Sequence, residues 1–208
     1  MAPGPHTRKL LALAAPTSLA MPTRIGHASQ LVDELTEMLL VSNGFHAFEG
    51  ALVVRAADGS ESGLDAWNDA ASWRSDYGDL ADGLVFFAED VFGGQFAIDD
   101  RSVVTFDPET GARSTLATSI EGWAEAVLED FPLLTGHPLA REWQEQNGAL
   151  PPGRRLAPVI PFVLGGAFSV DNLRAVADVQ GMRERATLTT RIRDLPDGAQ
   201  LPWPLGAA

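Results

Sequence analysis

The sequence predicts an α+β fold: a central antiparallel sheet packed by helices, followed by a carboxy-terminal strand–helix extension. Three observations carry this. Residues 84–88, 95–98 and 103–106 are short apolar runs in close succession, and the first is continuous enough for a strand covered on both faces. Turn chemistry separates them: Glu89-Asp90 with Gly93-Gly94, then Asp99-Asp100, then Asp107-Pro108-Glu109-Thr110-Gly111, with Asp first, Pro second and Gly last. Helical patterns flank the stretch on both sides. The result is an antiparallel meander against which the rest of the chain must pack.

Taken in order, residues 1–27 read as a disordered leader. Arg8-Lys9 before Leu10–Ala15 is similar to the start of a secretory signal, with Ser18-Leu19-Ala20 as a cleavage site, but the apolar run is short and Pro16 interrupts it. No run approaches the length of a transmembrane helix, and the expected location is cytoplasmic. Residues 28–43 form the first helix, with Leu31, Leu35, Met38 and Leu39 on one stripe and Gly44 as its stop. The chain then turns extended, with a strand over 51–54. Trp67 and Trp73 follow a loop and are expected to lay two indoles on the sheet as core.

Beyond the three strands, residues 114–117 pair back as a fourth. Thr118 with Glu121 predicts a capping box opening a helix that carries Ile120, Trp123, Ala124, Val127 and Phe131 and stops at Pro132. Thr135 with Pro138 opens another helix, ended by Asn147-Gly148. Leu150-Pro151-Pro152-Gly153 is the internal boundary, giving a main domain over 28–150 and an extension over 151–208 packed on it. In the extension, 158–164 reads as a strand able to join the same sheet. Ser169 or Asp171 then caps a long helix through Leu173, Val176, Val179 and Met182, with Gly181 as an irregularity. Pro196-Asp197-Gly198 ends it, and Leu201-Pro202-Trp203-Pro204 is a rigid tail.

An aromatic strand, an acidic turn, the run Phe92-Gly93-Gly94-Gln95-Phe96-Ala97-Ile98-Asp99, a second strand and turn, and a Trp-bearing helix resemble the SUKH superfamily over roughly residues 28–131. That superfamily includes the Smi/Knr cell-wall regulators and many bacterial immunity proteins. The resemblance implies a protein-binding module, often one that neutralises a toxin encoded beside it. It carries over no catalytic residues.

Composition narrows the chemistry. The 208 residues are 45% hydrophobic and 21% charged, enough to fill a core. The absence of cysteine excludes disulfides, thiolate catalysis and cysteine-ligated zinc. A net charge of −13 argues against nucleic-acid and anionic-membrane binding and favours a basic protein partner. His6, His27, His46 and His137 include no pair at the spacing of a helical metal site, and no nucleophile elbow, P-loop or dinucleotide fingerprint occurs. No cofactor or metal is expected.

The acids of the meander, Glu89, Asp90, Asp99, Asp100, Asp107 and Glu109, sit where strands turn. Asp is favoured there for its local hydrogen bonds. Under the family resemblance, Glu89, Asp90, Asp99, Asp100 and Asp107 become candidate contacts for a basic toxin surface. Two other readings stand beside this one. One is a hydrolase with His46 or His137 brought against a carboxylate, and the other is a scaffold subunit using the same sheet. Arg174, Arg183, Arg185, Arg191 and Arg193 read as a solvated helix face or as partners of the acidic main domain.

Overall fold

Alternation along the strands of the meander creates two apolar faces, and helices cover both. The computed structural model describes residues 2–196, 198, 199, 201, 203 and 204, so Asp197 and Pro202 of the expected stop and tail lie outside the described residues. Seven strands run antiparallel in chain order: β1 (Ala15–Pro16), β2 (Phe45–Ala47), β3 (Leu52–Val54), β4 (Val85–Glu89), β5 (Gln95–Ile98), β6 (Val103–Phe106) and β7 (Arg113–Ala117). The helices are α1 (Pro5–Ala12), α2 (Gln30–Val41), α3 (Leu64–Asn68), α4 (Ile120–Glu129), α5 (Phe131–Thr135), α6 (His137–Asn147) and α7 (Asp178–Ile192).

Phe87, Phe96, Ile98 and Val103 point to one face, where Leu10 of α1, Leu35 and Met38 of α2 and Trp123 of α4 meet them. Phe86, Ala97, Val104 and Phe106 point to the other, against Trp67, Trp73, Tyr77 and the α7 residues Met182 and Ala186. Both indoles are core, as expected: Trp67 is 3% and Trp73 0% exposed. Trp73 meets Phe86 edge-on at 4.8 Å, and Phe86 meets Phe106 at 5.4 Å, the tilted geometry that aromatic quadrupoles prefer.

The amino-terminal segment departs from the expected leader. Residues 5–12 are helix, Leu10 is 0% exposed, and β1 pairs with the edge of β2. Pro16 is tolerated because it lies on the outermost strand, where one side of the backbone needs no ladder partner. The expected capping box also divides differently. Ser119, not Thr118, caps α4, its Oγ accepting from the Gly122 N–H at 2.9 Å. Glu121 instead reaches across to α1, accepting from the His6 N–H at 2.7 Å and the Thr7 N–H at 3.1 Å. Those amides open a helix and have no intrahelical acceptor, so a carboxylate from elsewhere serves as their cap. Pro132 does not simply stop a helix: it lies in the first turn of α5, where its missing N–H is harmless.

The extension is rearranged as well. Its strand is β8 (Arg154–Pro158), and residues 162–164 form a short 3₁₀ turn. Pro158 and Pro161 remove the amide donors that a strand over 158–164 would need. β8 pairs with β9 (Leu173–Ala177) in a separate two-stranded sheet and does not join the meander; α7 therefore starts at Asp178. The extension still rests on the main sheet. The Leu156 N–H donates to the Val91 carbonyl at 2.8 Å, and Leu156 and Leu173 pack with Ala51, Val91 and Trp143. Arg193 of the segment after α7 grips Asp79 through both carboxylate oxygens, at 2.6 and 2.9 Å, the pairing with the main domain that the arginines suggested.

Candidate functional site

Strand parity decides which acidic turns meet. In an antiparallel meander alternate turns share an end, so the β4–β5 and β6–β7 turns lie together and the β5–β6 turn lies at the opposite end. Asp90, Asp107 and Glu109 are thus brought onto one groove, while Asp99 and exposed Asp100 are not. Most of the turn acids first serve their own backbone. Asp90 Oδ1 accepts from the Phe92 and Gly94 N–H groups, both at 2.8 Å. Asp99 Oδ1 accepts from the Arg101 and Ser102 N–H groups at 2.8 and 2.6 Å, and Asp107 Oδ1 from Glu109 N–H at 2.8 Å. These are the local bonds for which Asp is selected in turns. Gly93 completes the β4–β5 turn at φ +79°, and a side chain there would overlap the Arg185 guanidinium.

The groove has a volume of about 470 Å³ and runs between these turns, α5 and the loop of the extension. Leu133, Val163 and Phe168 form an apolar rim, 76%, 44% and 69% exposed. Phe162 and Phe168 stack face to face at 3.9 Å, with Phe92 edge-on to Phe162 at 5.6 Å. Asp107 is exposed, while Asp90 and Glu109 lie deeper. Glu109 is buried, its Oε2 accepting from the Val163 N–H at 2.8 Å. Burial raises its pKa above the ordinary carboxylate value, against the pull of that amide. Asp90 is a half-buried residue whose carboxyl is tucked against Gly94. Burial pushes it up to about 7, although two amide hydrogen bonds pull the other way.

Glu89, expected among the surface contacts, is a correction: it is 1% exposed and faces inward. Arg155 Nε lies 2.8 Å and Arg55 Nη2 2.9 Å from its Oε1, and Gln95 Nε2 donates to Oε2 at 3.2 Å. A strand-end carboxylate this close to two guanidinia is drawn out of water by them. Gln95 also lines the groove, so the ion-pair cluster lies directly behind its wall.

The histidines lie elsewhere. His137 Nε2 is 3.4 Å from Glu49 Oε2, a carboxylate whose side chain is 59% exposed. His46 is half-buried, and burial, then Arg155, lowers its pKa. Neither lines the groove. Among the described residues no group of three or more His, Cys, Asp or Glu is placed to hold a metal ion, and no helix is long and apolar enough to cross a membrane. Sequence reasoning missed the rim, Leu133, Val163 and Phe168; Arg185, read there as part of a solvated face or as a partner of the acidic main domain, is 6% exposed and lines the groove. The two prolines of 158–161 were the signal that this run forms a loop and offers its apolar side chains outward.

No family model matches the chain, and no curated protein matches it. Among solved structures it is similar to the crystal structure of Atu4351 from Agrobacterium tumefaciens, with a TM-score of 0.54 and 14% identity over 85% of this chain and 86% of that one. At that identity the likeness concerns the fold alone.

Proposed function

We propose that this chain is a SUKH-like protein-binding module acting as an immunity protein, which neutralises a cognate bacterial toxin by stoichiometric binding. The observation that carries this reading is the groove: exposed Leu133, Val163 and Phe168 rim a cavity whose lining bears Asp90, Asp107 and Glu109. Clustered exposed apolar side chains beside a cavity are the form of a partner surface. The net charge of −13 draws a basic partner towards it. The hydrolase reading placed His46 or His137 against a carboxylate, and none of the described lining residues of the groove is histidine.

The test is neutralisation. The product of the adjacent gene is expressed with this protein or with its Leu133→Asp/Phe168→Asp variant, and growth and complex formation are measured. The double variant should melt close to the parent, since both side chains are largely exposed and the loss is mainly the Phe162 stack, and should lose both binding and protection. Protection that survives the double variant, or an adjacent product that is neither toxic nor bound, refutes the reading. A bound but harmless product would point to the scaffold role.

A further inference from the structure

The groove is apolar at its mouth and lined with carboxyls, and the two parts call for one kind of guest. Glu109 is 4% exposed; its Oε2 holds the Val163 N–H and the Phe162 N–H also pulls on the carboxyl, while Oε1 makes no hydrogen bond of ordinary geometry among the described residues. A buried carboxylate oxygen without a donor is unfavourable, and a ligand that brings a donor relieves it. Asp90 and Asp107 add two further carboxyls. Arg185 is the one cation among the described lining residues: Nη1 donates to the Phe92 carbonyl, Nη2 lies 3.8 Å from the Met182 sulfur, Nε has no hydrogen-bond partner among the described residues, and its charge acts on Asp90 and Glu109. Three carboxyls face one guanidinium, so the balance is negative once Asp90 and Glu109 ionise, which a cationic guest promotes and an anionic guest opposes. Among the described residues a bare metal ion finds no convergent set of three or more acids or histidines.

The mouth decides between organic cations. A lysine ammonium is strongly hydrated, whereas a guanidinium is planar, weakly hydrated, stacks on aromatic faces and offers paired N–H groups to a carboxylate. The stacked Phe162 and Phe168 and the acceptor of Glu109 match the second. Resting on the partner-binding reading above, we infer that the groove is a socket for one arginine side chain, presented by the partner on an otherwise apolar segment that covers Leu133, Val163 and Phe168.

The experiment titrates the full-length ¹⁵N-labelled protein with N-acetyl-arginine methylamide and with its neutral citrulline isostere. The arginine probe should give saturating shifts at the amides of Gly94, Thr110 and Val163. Binding should weaken roughly tenfold or more for the citrulline probe and for Glu109→Gln, the loss expected of a charge-assisted hydrogen bond. Asp107→Asn, at an exposed position, gives a second variant should Glu109→Gln fold poorly, and Asp99→Asn at the far end of the sheet should change nothing. Equal binding of the two probes, or no saturation at tens of millimolar, overturns the socket. If neutralisation nonetheless depends on Leu133 and Phe168, the socket fails alone and the partner reading survives. Selective probe binding without neutralisation leaves the socket standing and removes the immunity role.

Discussion

Glu89 joins the two halves of the chain. Arg55 comes from the segment after β3 and Arg155 from β8, and both end on the same carboxylate oxygen; Arg55 also reaches Asp178 at 3.1 Å and stacks on Trp67 at 3.4 Å. Burial opposes ionisation of Glu89, but the two guanidinia outweigh it and hold the carboxyl at about 2. The folded value lies below the unfolded one, so this stabilisation is present above about 4.5 and is lost as pH falls towards about 2. Glu89→Gln leaves two buried guanidinia facing a neutral amide and should cost about 3–5 kcal/mol at pH 7 in urea unfolding. The difference should shrink through that acid window, and a constant difference would mean the charge is not what matters. Its neighbour titrates the other way. Asp90 is raised to about 7, so its carboxyl erodes stability as pH climbs from its ordinary value of 3.8 through 7. Asp90→Asn keeps an oxygen for the Phe92 and Gly94 amides, and should be more stable than the parent at pH 8 but not at pH 4.

At the scale of elements, α1 is held by two contacts of different kinds: Leu10 buried under α4 and Glu121 on the amides of His6 and Thr7. Leu10→Ala removes a fully buried side chain and should cost about 2–5 kcal/mol, while Glu121→Ala removes a cap and should cost about 1. Amide exchange over residues 6–12 should accelerate in both variants; protection unchanged in Leu10→Ala would show that the helix is not part of the core. This docking was illegible in the sequence because the cap is supplied from 115 positions away. α2 and α4 were legible, since each carries one apolar stripe that only a helix aligns. The extension failed for a related reason. Leu173, Val176, Val179 and Met182 recur every third residue, a spacing that fits a helix, yet pairing with β8 draws residues 173–177 into a strand. Tertiary pairing overrode a local period that did not separate the two outcomes.

The meander's strands and turns could be read locally because each turn carries its own Asp, joined by Gly in the β4–β5 and β6–β7 turns, but the groove could not. It needs the parity of the turns, which strand order supplies, and the Phe162–Phe168 stack, which arrives from a loop more than fifty residues beyond Glu109. The charge of the whole molecule, in contrast, is explicit in the sequence, and it has a consequence at this scale. A net −13 repels itself across the folded surface. The exposed pairs that oppose this, Arg141–Glu145, Arg174–Glu184, Arg183–Asp76 and Arg193–Asp79 among them, are of the solvated kind that contributes little each. Added salt screens both, but the repulsion is summed over the entire surface and the attraction over a few pairs. Raising sodium chloride from about 20 to about 200 mM should therefore raise the melting temperature by roughly 2–4 °C, the shift that about 1 kcal/mol produces in a chain of this size. A melting temperature that falls with salt would place the balance in the surface pairs, and with it the attachment of α7 to the main sheet.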